Sequence, residues 1–166
     1  MTKLYSLSYK ESRTFLFAAL FIVGNVALPQ LCHLMPNGGL IWLPIYFFTL
    51  IGAYKYGWQV GLLTAVASPL VNHWLFGMPP TDVLLPILIK STLLALAASY
   101  VAARFKKVTL LLLVVVVLAY QVVGSLIESA ITASLATGFQ DFTIGLPGMA
   151  LQVVGGYLFI KYVLHK

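Results

Sequence analysis

The sequence predicts an all-α, polytopic membrane protein: one domain over residues 1–166, six transmembrane helices, and both termini in the cytoplasm. Three observations carry that prediction. Of 166 residues, 61% are hydrophobic and only 8% charged, with a mean hydropathy of +0.98. A soluble domain of this length could not hide so much apolar surface. The apolar runs are far longer than barrel strands and lack strict alternation. Lys and Arg fall in small groups beside those runs, which is how membrane topology is encoded.

Glycine, proline and charged residues punctuate the chain into six apolar segments. The first runs from about Ser12 to Leu28. Lys10 and Arg13 precede its "FLFAALFIVGNVA", but no small-x-small cleavage pattern follows, so it reads as a retained helix. It ends at "LPQLCHLMPNGG", a stretch of turn formers. The second, about Leu40 to Tyr54, is short and carries Pro44. The third begins near Gly57 and ends around Phe76, before "GMPP". The fourth spans roughly Thr81 to Arg104. The fifth, from about Val108 to Thr137, is long enough to require tilt, since ~20 residues already cross the hydrocarbon. The sixth covers about Thr143 to Leu164.

Six crossings put Lys3, Lys10, Arg13, Lys55, Arg104, Lys106, Lys107, Lys161 and Lys166 on one side. The other side then holds Asp82 and Asp141 and no basic loop residue. That segregation sets the termini in the cytoplasm. It also explains the net charge of +6 without a nucleic-acid partner; the partner it implies is the lipid bilayer. The single cysteine, Cys32, excludes an internal disulfide and a cysteine-built structural zinc site.

One basic residue belongs to no loop. Lys90 lies within "LLPILIKSTLLALAASY", eight residues or roughly 12 Å below Asp82. If the fifth span ends at Thr137, Glu128 lies nine residues below, at a matching depth of roughly 13 Å. Asn72, His73 and Gln152 reach similar levels, with Asn25 deeper. Cys32, His33, Asn37, Asp82, Gln140 and Asp141 lie in loops above, and Trp42, Trp74 and Tyr46 could supply flat walls. A charge in lipid costs ~3 kcal/mol or more, so these groups should face the bundle interior. The expectation is a pocket opening outward, polar at its floor and aromatic at its sides.

Each residue also has a structural reading. Lys90 and Glu128 could be an ion pair that orients helices, and His73 a packing residue. Asn72 could satisfy carbonyls freed by Pro69. Trp42 and Trp74 could be interface anchors. Cys32 and His33 could form a soft metal-binding pair, as for the metal of a tetrapyrrole. No cofactor of the protein itself is expected. The small-x-x-x-small pairs Gly57/Gly61 and Ala98/Ala102 allow close helix approach, either within the bundle or onto another subunit.

Six spans in under 200 residues, together with "GGLIWLPIYFFTLIGAYKYGWQVGLLTAVASPLVNHWLFGMPP", resemble the substrate-binding S components of energy-coupling factor (ECF) vitamin transporters. There a short second span leads through "GAYKYG" into a Gly-rich third, and Asn72 and an aromatic precede the outer loop. The resemblance implies a high-affinity binder of a vitamin-like micronutrient in the bacterial cytoplasmic membrane. It implies a transport subunit and not an enzyme, partnered by a transmembrane scaffold and two ATP-binding subunits. The absence of a P-loop fits that division of labour. Family members dock through Ala-x-x-x-Ala in the first helix; here the nearest match is Thr14 and Ala18. The resemblance also implies that residues 29–39, 77–81 and 137–142 close over ligand. A cobalamin- or tetrapyrrole-binding solitary member is one alternative. An intramembrane enzyme using Glu128 and His73 as acid and base is another, and a scaffold or channel subunit a third.

Overall fold

The computed structural model describes residues 3–164, and among them every regular element is helical. In chain order these are α1 (Ser12–Cys32), α2 (Gly38–Trp42), a 3-10 turn (Pro44–Tyr46), α3 (Phe47–Tyr56) and α4 (Trp58–Phe76). After these come α5 (Thr81–Phe105), α6 (Leu110–Thr132), α7 (Leu135–Gly138), α8 (Gln140–Thr143) and α9 (Leu146–Leu158), which runs on as a π turn over Phe159–Val163. Among the described residues four helices are long and apolar enough to cross a membrane: α1, α5, α6 and the continuous Leu146–Val163. At 19 residues α4 is long enough, but Gln59, Asn72 and His73 dilute its hydropathy.

Much of the exterior is apolar. Phe15, Leu16, Leu20 and Val23 on α1, and Leu111, Leu118, Val122 and Leu126 on α6, are all exposed. An apolar outer surface of this extent marks a lipid or partner interface. Inside, α3 and α5 form the centre, with α3 meeting α1, α4, α5 and α9, and α5 meeting α4, α6 and α3. The helix ends rich in Lys and Arg gather together. The Tyr5 and Leu7 amides donate to the Lys55 and Tyr56 carbonyls, and the Tyr54 hydroxyl donates to the Lys107 carbonyl at 2.8 Å.

Three boundaries depart from the sequence reading, each for a local reason. The second segment is not one continuous helix: Leu43 adopts φ 45°, Pro44 starts a new turn, and α3 has only ten residues, or ~15 Å. The fifth ends at Thr132 and not Thr137, because Ala133 turns left-handed (φ 51°) and donates its N–H to the Ser129 carbonyl. The first runs past Leu28 to Cys32 with Pro29 inside it. Proline removes one helical N–H, which leaves the Asn25 carbonyl four residues back without its donor. Asn72 Nδ2 supplies the replacement at 2.9 Å. Asn72 therefore does repair a proline break, but the break is Pro29 in the neighbouring helix and not Pro69 in its own.

The close-approach motifs also resolve inward. A Cβ on Gly61 would lie 2.5 Å from Ala53 Cβ, so this glycine lets α3 and α4 touch. Thr14, Ala18, Ala98 and Ala102 are all buried, and Thr14 Oγ1 donates to the Ser8 carbonyl. These four side chains pack within the bundle, so an outward docking surface is not built from them.

Candidate functional site

The interior polar groups fall into two clusters, not one belt. The first is neutral and joins α1, α3 and α4. Asn25 Nδ2 donates to Thr49 Oγ1 (3.0 Å) and Ser68 Oγ (3.3 Å), and Asn25 Oδ1 accepts the Phe48 amide at 3.0 Å. That amide lies in the first turn of α3, where backbone N–H groups have no partner within their own helix. Asn72 Nδ2 donates to the Asn25 and Ser68 carbonyls, and Asn72 Oδ1 accepts from Gln30 at 3.3 Å. Asn25, Thr49, Ser68 and Asn72 leave no side-chain polar atom unpaired.

The second cluster is charged and lies between α5, α6 and the segment leading to α9. Lys90 Nζ sits 2.6 Å from Glu128 Oε2 and 2.8 Å from Asp141 Oδ2. Lys90 is 3% exposed, and the two carboxylates are 12% and 13% exposed. The expected pairing of Lys90 with Glu128 is present, but not at equal depth. Glu128 lies only four residues, roughly 6 Å, from the end of α6. The Lys90 stem instead lies against Gly124, one turn deeper, where an added Cβ would come within 2.5 Å of Lys90 Cγ. The stem crosses α6 at the one position without a side chain, then climbs a turn to reach both carboxylates. Such climbing toward the polar boundary is the usual behaviour of a lysine near a helix end in lipid.

Tyr46 and Tyr120 border this triad. Both are at most 2% exposed, their ring centroids are 5.5 Å apart, and the Tyr46 hydroxyl lies within electrostatic range of Asp141, Glu128 and Tyr120. The Tyr120 hydroxyl donates to Gln152 Oε1 (2.8 Å) and accepts from Gln121 Nε2 (3.1 Å). Four buried atoms on these helices have no hydrogen-bond partner: Ser91 Oγ, Gln121 Oε1, Ser125 Oγ and Gln152 Nε2. Burying an unpaired polar atom costs about 1–3 kcal/mol; two further such atoms, His33 Nδ1 and Gln59 Oε1, lie apart from this group. Further toward the basic end, α3, α5 and α6 contribute Leu50, Leu94, Leu113, Val116 and Val117, at most 1% exposed. The polar column ends on this apolar floor.

Several sequence candidates lie elsewhere. Trp74 is 85% exposed and walls no pocket; it points outward as an interface anchor would. His73 Nδ1 bonds the Pro79 carbonyl at 2.7 Å, which fixes the turn after α4, and no described hydrogen bond or ion pair joins it to Glu128. Asn72 is committed to the neutral cluster. Asn37 is exposed in a left-handed turn (φ 54°) whose carbonyl receives the Leu40 and Ile41 amides. Trp42 is half-buried, its backbone tight against Gly148 on α9. Cys32 is buried, and among the described residues no group of three His, Cys, Asp or Glu side chains gathers as a metal site. Above the pair, where a pocket was expected, Asp141 bonds the Lys90 ammonium. A cavity of about 770 Å³ lies at the basic end.

Sequence reasoning missed Tyr120, Gln121, Ser91 and Ser125. The signal was present in "AYQVVGSLIES": Tyr120/Gln121, Gly124/Ser125 and Glu128/Ser129 recur every four residues, drawing a polar stripe along one face of an apolar helix. No family model, curated protein or solved structure matches this chain.

Proposed function

We propose that the chain is a membrane-embedded substrate-binding subunit for uptake of a small vitamin-like micronutrient. In this reading it works with a separate energising module, in the manner of ECF S components, in the bacterial cytoplasmic membrane with six passes and cytoplasmic termini. One observation carries the reading: the buried Lys90 ammonium is held by two carboxylates of different kinds. Glu128 comes from a spanning helix, whereas Asp141 comes from a four-residue helix in the α6–α9 connection. Ionisable groups at such positions are functional candidates by default.

A ligand carboxylate or phosphate would take the place of Asp141 on Lys90 while Glu128 stays. Exchanging one anion for another keeps the ammonium neutralised, whereas leaving it uncompensated would be costly. The tyrosine rings offer flat faces to a ring system, and the unpaired serine and glutamine atoms offer hydrogen bonds. The apolar floor favours retention of a bound molecule over conduction through the bundle, which supports a binder over a channel.

The test is a thermal-shift screen of the purified chain against vitamins and their precursors, because a bound ligand raises apparent stability by RT ln(1 + [L]/Kd). The expected result is a stabilising, carboxylate- or phosphate-bearing hit whose effect disappears in Lys90→Met/Glu128→Gln/Asp141→Asn, which removes every charge together. A hit that stabilises parent and variant equally would place binding elsewhere. A screen with no hit, with the triad retained only for folding, would make it an architectural clamp.

A further inference from the structure

The cavity at the basic end belongs to neither polar cluster. Its walls are the N-terminal segment (Lys3 to Ser6), the turn at Gly57 and Trp58, and the last three turns of α5. Gly57 makes it possible: at φ 98° its Cα passes the Ser6 backbone, and a Cβ there would lie 3.2 Å from Ser6 Cα. The α5 wall presents Leu96, Tyr100 and Ala103, at spacings of four and three residues, so they form one strip along the helix, and Lys106, the left-handed cap at its end, follows. All four are exposed. With Lys106 the strip rises ten residues, roughly 15 Å, from an apolar residue through an aromatic to a cation. Lys3 adds a second ammonium, Trp58 a second half-exposed aromatic ring, and no carboxylate lines the cavity.

We infer that this groove holds one anionic phospholipid, its phosphate against Lys3 and Lys106 and an acyl chain along Tyr100 and Leu96. Charge complementarity chooses an anion. The gradient along α5 chooses an amphiphile over a free anion, since a soluble phosphate has no use for Leu96 or for a strip of that length. Basic pockets between helices at the cytoplasmic boundary are general sites for anionic headgroups, and Trp58 and Tyr100 sit where interfacial aromatics belong. Ser99 Oγ is already committed to the Ala95 and Leu96 carbonyls, so the lysines carry the recognition.

Trp58 is a built-in reporter. In a Trp42→Phe/Trp74→Phe chain it is the one remaining tryptophan of the three. Reconstituted in phosphatidylcholine vesicles, its fluorescence is titrated with brominated phosphatidylglycerol or brominated phosphatidylcholine. The expected result is half-maximal quenching at about fivefold lower mole fraction of the anionic lipid, the worth of one interfacial lysine or more. Added inorganic phosphate should leave that preference intact, and Lys3→Gln/Lys106→Asn should abolish it. If the double variant does not reconstitute, Lys106→Asn alone should at least halve the preference; Lys106 sits at φ 52°, which Asn tolerates. Equal quenching by the two lipids, a preference surviving these variants, or one erased by free phosphate would each overturn the inference. None of these outcomes involves the Lys90 triad.

Discussion

The two interior polar clusters are built from similar materials and differ in one respect. Around Asn25 and Asn72, each side-chain donor and acceptor is matched, and the atoms served include backbone groups orphaned by a helix start and by Pro29. Around Lys90, Glu128 and Asp141 the charges are matched to each other, yet four nearby buried atoms are left unpaired and one carboxylate is supplied by a connecting segment. A fully satisfied neutral network tends to rigidify a fold. A charged group with spare hydrogen-bonding capacity around it costs stability, which is the trade expected where a protein binds something. The difference teaches how to sort buried polar residues in a membrane bundle: by what their neighbours still lack.

The largest break in that comparison is Lys90→Met. Removing the cation leaves Glu128 and Asp141 facing each other uncompensated and should lower stability by about 3–5 kcal/mol, measurable by unfolding in mixed detergent. Neutralising the carboxylates as well should restore most of the loss. Next is Gly124→Ala, whose methyl would meet the Lys90 stem; overpacking of this kind costs about 1–3 kcal/mol and should weaken any triad ligand in parallel. On the neutral side, Asn72→Ala should cost only about 1 kcal/mol, typical of interhelical hydrogen bonds in membranes, and leave ligand affinity unchanged. Pro29→Ala sharpens that last case. It restores the missing N–H to the Asn25 carbonyl, so a double-mutant cycle with Asn72→Ala should show coupling of about 0.5 kcal/mol or more. An additive cycle would mean that Asn72 does not mend the α1 gap.

How much of this was legible in the sequence follows the same division. Helix existence was readable because apolar runs and Gly/Pro punctuation are local, as in α4 and α5. The ends of α6 and of the second segment were not, because Leu43 and Ala133 adopt left-handed backbone that no glycine announces. Lys90 and Glu128 could be paired because charges in apolar runs are conspicuous. Asp141 could be placed only above them, since the path of a loop across a bundle end leaves no period in sequence. Asn72 was matched to Pro69 in its own helix, whereas it serves the carbonyl left by Pro29 in the neighbouring one, a choice that depends on packing. Trp74 misled as a pocket wall because an aromatic near a helix end serves an outer surface and a ligand equally well, and here it is exposed.

The central claim is that the ammonium of α5, with its two carboxylates, is where a ligand binds. Equilibrium titration of a ligand found by the screen, against Lys90→Met/Glu128→Gln/Asp141→Asn, tests it most directly, because the variant removes every charge together and so spares the fold. The account predicts a folded protein whose affinity is weaker by about tenfold or more, roughly 1.4 kcal/mol. A folded variant binding with undiminished affinity would contradict it.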